Sequence, residues 1–186
     1  MFAPDVKTTP WFHGDRSRRE AFTDQRDRRR TESDPNALGP GIYWAVNPET
    51  ARGYAWPDGW LYRAMMRVPL ERIMLPNTRL RPGVVKRLIE LCPVEIRVEA
   101  LTNFGEHPAY ALAAAVSAYT QVAARESALD ACVGLFHDVY SWQHEPFLAA
   151  MPQIGFDCYL APDIGHLVVW NPKIIDVLDE TPRTIL

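Results

Sequence analysis

The feature that most constrains the fold of this chain is a long helix-forming block between two strand-forming regions. The block covers about residues 82–154, and from residue 108 to 140 it is rich in alanine and other helix formers. Short runs of β-branched and aromatic residues precede and follow it. Strands, then helices, then strands again predict an α+β fold. We expect a single domain over residues 1–186, with the helical block as an insert.

The residues before the block predict four short strands and one helix. Asn47 suits the N-cap position, and Pro48 suits the first helical position, where the missing N–H costs nothing. A helix from Pro48 to about Ala55 should follow. Asp58-Gly59 is typical of a turn. The predicted strands are Thr8–Phe12, Ile42–Ala45, Trp60–Val68 and Glu71–Leu75.

The block itself predicts several helices. Helices are expected over residues 82–91 and from Glu145 to Met151, and two more between residues 108 and 140. The break between these two is expected near Ala124–Ser127 or at Gly134. Val94–Leu101 alternates apolar and polar residues, which favours a strand, although its alanine and glutamate content also allows a helix. After the block, strands are predicted at Phe156–Leu160, His166–Trp170 and Ile174–Leu178.

Charge and cysteine content limit the partners and the compartment. The formal net charge is −3, which gives no overall attraction to nucleic acid. Acids in and beside Arg16–Arg30 nearly cancel its arginines, so we interpret it as a solvated, ion-paired segment, with a phosphate-binding patch as the alternative. The three cysteines lack metal-ligand spacing and are expected to be buried or free thiols in a reducing compartment: Cys92, Cys132 and Cys158.

Neither a signal peptide nor a membrane-spanning apolar run is evident in the sequence. We therefore expect a cytoplasmic protein without a membrane partner. A toxin delivered into the cytoplasm of a target cell would have the same appearance.

Three local motifs carry side chains suited to ligand binding. His13 ends a predicted strand and is followed by Gly14, which permits close approach of a ligand to the backbone. A glycine-rich run ending at Gly41 leads into the strand of Tyr43, whose ring offers a flat face with a polar tip. Tyr54 lies at the end of the short helix, where it would clamp a planar heterocycle against Tyr43. Each motif alone is also typical of ordinary core packing.

Together and in this order, the motifs resemble the ADP-ribosyltransferase fold of diphtheria toxin and the poly-ADP-ribose polymerases, the His-Tyr group. The resemblance is carried by His13-Gly14, by Gly41-Ile-Tyr43 and by the helix that ends in Tyr54-Ala55. Gly155–Tyr159 and His166–Ile175 are similar to the closing hairpin of that family. The helical block before this hairpin is similar to phage-encoded members, including anti-CRISPR ADP-ribosyltransferases. Residues 76–143 or so lie outside the resemblance.

The resemblance implies an ADP-ribosyltransferase-like split antiparallel β-sandwich with a helical insert, and NAD as the substrate. It implies that His13 binds a ribose hydroxyl, that the Gly14 backbone binds the nicotinamide carboxamide, and that Tyr43 and Tyr54 enclose the nicotinamide ring. Gly41 and His166 would complete the NAD site. The predicted catalytic set is Asp163, His13 and Tyr43, and no metal is expected.

The departure from the family pattern is the catalytic carboxylate. Cleavage of the C–N glycosidic bond has an oxocarbenium-like transition state, which a nearby carboxylate stabilises. The family has a glutamate where this chain has His166, and a histidine provides no fixed negative charge. We predict that Asp163, three residues upstream, is the catalytic acid, although aspartate is also common in β-turns. Glu145 and the absence of any acid are the alternatives, and Asp157 is interpreted as a structural acid at a strand start.

Three hypotheses of function follow. The first is an NAD-dependent ADP-ribosyltransferase acting on a macromolecule, as a toxin, effector or phage counter-defence factor; protein is the preferred acceptor, and nucleic acid, a small molecule or water stays open. The second is a catalytically degenerate module that binds NAD or ADP-ribose and acts as an inhibitor or interaction protein. The third is an interaction protein that uses its helical block. The oligomeric state is left open.

Overall fold

A computed structural model describes residues 5–20, 22, 40–55 and 57–183 of the chain. Within these residues the chain forms seven strands and six α-helices, so the predicted α+β class is confirmed. The strands are β1 (Trp11–Asp15), β2 (Ile42–Ala45), β3 (Trp60–Met66), β4 (Ile73–Met74), β5 (Cys158–Ala161), β6 (His166–Val169) and β7 (Ile175–Pro182). The helices are α1 (Pro48–Tyr54), α2 (Pro82–Leu91), α3 (Val94–Leu101), α4 (Pro108–Arg125), α5 (Ala128–Asp138) and α6 (His144–Ala150).

The strands form one sheet in the order β4-β5-β6-β2-β1-β3-β7. β1 pairs with β3 at five positions, but with β2 only at Phe12 opposite Ala45. Both pairings are antiparallel, as are those of β2 with β6, β5 with β6 and β3 with β7. The sheet is therefore weakly joined between β1 and β2, near its middle.

The chain divides into two compact units. From Gly41 onward, it passes from the first unit into the second between Ile73 and Met74, and it returns between Phe156 and Asp157. The first unit contains β1–β3, α1 and β5–β7, and the second contains α2–α6.

The core of the first unit lies against one face of the sheet. Trp11, Trp44 and Tyr62 come from three adjacent strands and are at most 1% exposed. They share a face because side chains alternate along a strand and the register sets the three strands in phase. Burial of each such side chain stabilises the fold by about 1.5–3 kcal/mol. Smaller apolar side chains from β5 and β6 extend this core: Cys158, Leu160, Leu167 and Val169.

Helix α1 packs against β1 through a glycine. Asn47 caps the helix by accepting a hydrogen bond from the backbone N–H of Glu49, and Pro48 begins it, both as predicted. A Cβ at Gly14 would lie 1.9 Å from the carbonyl oxygen of Ala51. Because no side chain fits in that space, glycine is what allows the helix backbone to lie on the strand.

Two buried polar contacts join α2 to the residues that follow α5 in the second unit. The hydroxyl of Tyr140 donates to the carbonyl of Leu88, and the thiol of Cys92 donates to the carbonyl of Val139. α4 ends at Arg125 and α5 begins after Ser127, whose side chain caps it. The break predicted near residues 124–127 is therefore confirmed, and Gly134 lies inside α5.

The prediction of a strand at Val94–Leu101 is wrong, because this segment is helix α3. Its alternation does not reflect a buried face, since Val94 and Val98 are more than half exposed. A strand must also find a partner for its backbone hydrogen bonds. Among the described residues of the second unit, only Met74 belongs to a strand. A helix satisfies the same groups within the segment.

Other boundaries differ modestly from the predictions. β1 begins at Trp11, after Pro10, and includes His13 and Gly14. β4 is two residues long and β7 extends to Pro182. Much of the arginine-rich segment lies outside the described residues, as does the part of the glycine-rich run before Pro40.

The prediction of buried free thiols is confirmed for all three cysteines. Burial raises the pKa of Cys92 to about 11 and that of Cys132 to about 12. Both therefore stay protonated near neutral pH. None of the described helices combines the length and apolarity that crossing a membrane requires.

We expect Gly14→Ala to destabilise the first unit. The new Cβ would clash with the carbonyl oxygen of Ala51 and lie 2.6 Å from the amide nitrogen of Ala55, so the backbone of α1 would have to move. Overpacking of this kind should lower the free energy of unfolding in urea by about 2 kcal/mol or more.

Gly53→Ala in the same helix is the matched control. Nothing lies within 4 Å of a Cβ at Gly53, and alanine is the better helix former by about 1 kcal/mol. The free energy of unfolding should therefore stay the same or rise slightly. Wild-type stability in Gly14→Ala would contradict the packing of α1 on β1.

Candidate functional site

The predicted site residues of β1 point to opposite faces of the sheet. His13 lies opposite Tyr62 and shares the core face with it. Gly14 lies on the other face, against α1. Because Phe12 pairs with Ala45, the antiparallel register places Tyr43 on the face of Gly14 and not on that of His13.

His13 nevertheless contacts Tyr43 through the backbone. Its Nδ1 lies 2.7 Å from the carbonyl oxygen of Tyr43. This contact spans the place where β1 and β2 diverge. The residue is 8% exposed, and its ring is surrounded by other rings, with centroids at 5.2 Å for Trp44, 5.4 Å for Phe22 and 6.2 Å for Tyr62.

Polar groups continue along the same face from His13. Nε2 of His13 lies 3.5 Å from Oδ2 of Asp15, and Nε of Arg19 donates to the same carboxylate oxygen. The backbone N–H of Arg19 donates to the hydroxyl of Tyr62. Burial alone would raise the pKa of Asp15, but the hydrogen bonds from His13 and Arg19 and their charges outweigh it. The pKa of Asp15 is therefore far below its usual value.

Trp44 adds a buried donor beside this cluster. Its side chain is fully buried, and its indole N–H has no hydrogen-bond partner among the residues that the structure describes. A buried donor without an acceptor costs about 1–3 kcal/mol.

The second face carries the other predicted residues. Val168 pairs with Tyr43 and His166 pairs with Ala45, so these four side chains share one face. Both ring nitrogens of His166 are buried. Tyr54 ends α1 and is 55% exposed.

Gly14 and Gly41 have packing roles in the structure. At Gly14 the free space is occupied by the backbone of α1. At Gly41, where φ is +151°, a Cβ would lie 2.3 Å from Cγ1 of Val168. The sequence context of these glycines predicts the close approach of a ligand. In the structure, neighbouring parts of the protein make that close approach instead.

The two candidate acids occupy different units. Asp163 is exposed in the turn between β5 and β6. The carbonyl of Gly165 in this turn accepts a hydrogen bond from the backbone N–H of Val46, just after β2. Glu145 is exposed in the first turn of α6, in the second unit. Of the two, only Asp163 belongs to the unit that contains His13, Tyr43 and Tyr54.

Asp157 is a structural acid, as its sequence position indicates. Its carboxylate accepts hydrogen bonds from the guanidinium of Arg72 and from the amide of Asn171. Its backbone N–H donates to the carbonyl of Arg72. Burial alone would raise its pKa, but these hydrogen bonds and the charge of Arg72 hold the pKa below its usual value.

The sequence analysis did not identify Asp15, Arg19, Tyr62 and Trp44 as part of the site. Strand alternation was the available signal for Asp15, because residue i+2 shares the face of His13. The contributions of Tyr62 and Trp44 depend on pairing between strands distant in sequence.

Asp157→Asn should lower the free energy of unfolding by about 2 kcal/mol at neutral pH, since charged hydrogen bonds are lost. The lowered pKa means that this stabilisation exists above the usual carboxyl pKa of about 3.9 and is lost as the pH falls through the folded-state pKa. Urea unfolding from neutral to acid pH should therefore show the difference from wild type shrinking in acid.

Asp176→Asn is the control for this prediction, since it breaks an exposed aspartate–arginine pair with Arg67. Its effect should stay below about 1 kcal/mol. A difference for Asp157→Asn that persists unchanged into acid would contradict the role of its charge.

Comparisons with known proteins assign no family to this arrangement. No protein-family model, no curated protein and no solved structure matches the chain. A function for the site has to be inferred from the residues that the fold brings together.

Proposed function

We propose that this protein is an NAD-dependent ADP-ribosyltransferase with an ADP-ribosyltransferase-like fold. One observation carries the proposal. The separate motifs that resemble this family lie on neighbouring elements of one compact unit. β1 with His13, β2 with Tyr43 and β6 with His166 are adjacent in the sheet, and α1 with Tyr54 packs on β1.

The weak junction in the sheet supports the finer fold assignment. A split β-sandwich requires that the strands separate along one line. β1 and β2 share one paired position, and a side chain of β1 makes the next contact to β2. This is the place where the proposal puts the NAD site.

The donors at the site suit a ligand rich in hydroxyl and carbonyl oxygens. The indole N–H of Trp44 lacks an acceptor within the described part of the chain, and Nε2 of His13 lies 3.5 Å from Oδ2 of Asp15. That distance is at the outer limit for a hydrogen bond. Ribose and carboxamide oxygens of NAD would accept from such groups. The exposed ring of Tyr54 and the half-buried ring of Tyr43 would bind the flat nicotinamide.

The reaction replaces the C–N glycosidic bond of NAD by a bond to the acceptor. Nicotinamide leaves with the bonding electron pair, and the acceptor nucleophile gives up a proton. Positive charge develops on the ribose, and a fixed carboxylate would stabilise it. We assign this role to Asp163, which precedes β6 and belongs to the same unit as the other site residues.

The acceptor that best fits the proposal is a macromolecule, and protein is preferred over nucleic acid. The protein would then act as a toxin, effector or phage counter-defence factor in a cytoplasm. One observation favours a second function. His166 begins β6 where the family pattern has its glutamate, and its ring nitrogens are buried. A module that binds NAD or ADP-ribose without turnover would have such a site.

Nicotinamide release from NAD in the presence of cell lysate tests the proposal. Asp163→Asn should lower turnover at least about 100-fold, as is typical when one preorganised electrostatic contact is lost, while NAD affinity changes little. Tyr43→Ala should weaken NAD binding as well as turnover. Glu145→Gln should behave as wild type.

His137→Ala is the matched control, because His137 stacks on Trp142 in the second unit, with ring centroids 3.7 Å apart. NAD binding without nicotinamide release from any lysate would favour the binding module. A protein that neither binds nor cleaves NAD would overturn both proposals.

A further inference from the structure

The immediate partners of the His13 ring suggest an unusual protonation state. Nδ1 lies 2.7 Å from a backbone carbonyl, that of Tyr43, which can only accept a hydrogen bond. Nε2 lies 3.5 Å from Oδ2 of Asp15. An ionised carboxylate is also only an acceptor.

A neutral imidazole has one N–H, so it can donate a hydrogen bond to only one of these two acceptors. With the proton on Nδ1, the hydrogen bond to Tyr43 forms, but the lone pair of Nε2 then faces the negative carboxylate. With the proton on Nε2, a lone pair faces the carbonyl at 2.7 Å. Only the doubly protonated ring presents an N–H to each acceptor.

We propose that Asp15 is a positioning residue that holds His13 doubly protonated, with both ring nitrogens acting as hydrogen-bond donors. The side chains are well placed for this, because His13 and Asp15 lie two residues apart on one face of β1. Their side chains are 9% and 14% exposed, so water screens the pair little.

Other ionisable groups around the pair include Arg19 and Tyr62. The guanidinium of Arg19 shares the Asp15 carboxylate with His13, and its positive charge opposes a second cation nearby. Asp15 stays ionised because these contacts hold its pKa low against the effect of burial. Burial raises the pKa of Tyr62 above its ordinary value, so its hydroxyl remains neutral. Removal of the Arg19 charge should therefore further stabilise the doubly protonated state of His13.

The protonation state determines what His13 offers a ligand. The single N–H at Nε2 of a doubly protonated ring can be shared between Oδ2 of Asp15, 3.5 Å away, and a ligand oxygen that accepts. A ring protonated only on Nδ1 would instead need a ligand hydroxyl that donates. On the proposed function, Asp15 thereby selects the orientation of the hydroxyl group that His13 binds, without touching NAD itself.

Nitrogen NMR of the histidine side chains tests this directly, and it does not depend on NAD. The chain has five histidines, and the His13 signals are identified by their loss in His13→Gln. About one pH unit above the usual imidazole pKa of about 6.5, wild-type His13 should show both nitrogens protonated. In Asp15→Asn, Nε2 should be unprotonated while Nδ1 keeps its proton. Arg19→Gln should keep His13 doubly protonated to higher pH than wild type.

Asp176→Asn is the matched control, since it removes an aspartate–arginine pair that has no histidine in it. It should leave the His13 signals unchanged. The proposal is overturned if wild-type His13 carries one proton under these conditions, or if Asp15→Asn leaves both nitrogens protonated. The opposite shifts expected for Asp15→Asn and Arg19→Gln separate the effect from a general loss of structure.

NAD affinity supplies the second readout, and this step rests on the proposed function. Asp15→Asn should bind NAD about tenfold more weakly above neutral pH, the loss expected for one charged hydrogen bond. Lowering the pH to about 5.5 protonates His13 from solvent and should restore much of the affinity. A merely structural defect would not recover in acid. If wild type fails to bind NAD while the NMR result holds, the proposed function falls and the protonation inference stands.

Discussion

The hydrogen bond from His13 to the carbonyl of Tyr43 joins two strands that share only one other paired position. It allows β1 and β2 to diverge while the sheet stays continuous from β4 to β7. Here a side-chain hydrogen bond helps to join two strands, whereas backbone hydrogen bonds join the strands elsewhere in the sheet. The ring must therefore stay in one orientation, and the aromatic side chains of Trp44, Phe22 and Tyr62 around it restrict its movement.

The two faces of β1 have different chemistry. The face of His13 is a packed core with an embedded ionic cluster, and it depends on rigid aromatic neighbours. The face of Gly14 lies under a short helix, and it depends on the absence of a side chain. A ligand that contacts both faces would have to enter at the divergence of β1 and β2, where the two sets of groups come nearest along the backbone.

Local signals in the sequence were sufficient for much of the fold. The Asn47 cap and Pro48 predict α1, and the aromatic run Ile42–Ala45 predicts β2 with its observed bounds. Val94–Leu101 was predicted wrongly because its alternation is a local pattern, whereas a strand depends on a distant pairing partner. The segment has no such partner within the described part of its unit, and it forms a helix.

Only those features of the site that depend on residues close together in the sequence were predictable. The sequence places His13 and Gly14 together at the end of one predicted strand and Tyr54 on a short helix. It does not reveal that Tyr43 faces away from the His13 ring, since this follows from the register set by Phe12 and Ala45. The sequence likewise does not reveal why residue 14 is a glycine, because the reason depends on where α1 packs on the sheet.

The ion pair between Arg72 and Asp157 has a consequence for how this protein could evolve. These two residues flank the helical block, and backbone and side-chain hydrogen bonds hold them side by side. An exchange of everything between them for another segment with close ends would remove the two-residue strand β4 but leave β1–β3, β5–β7 and α1 covalently intact. Such a junction permits modular replacement, in which the same sheet acquires different inserted blocks by recombination.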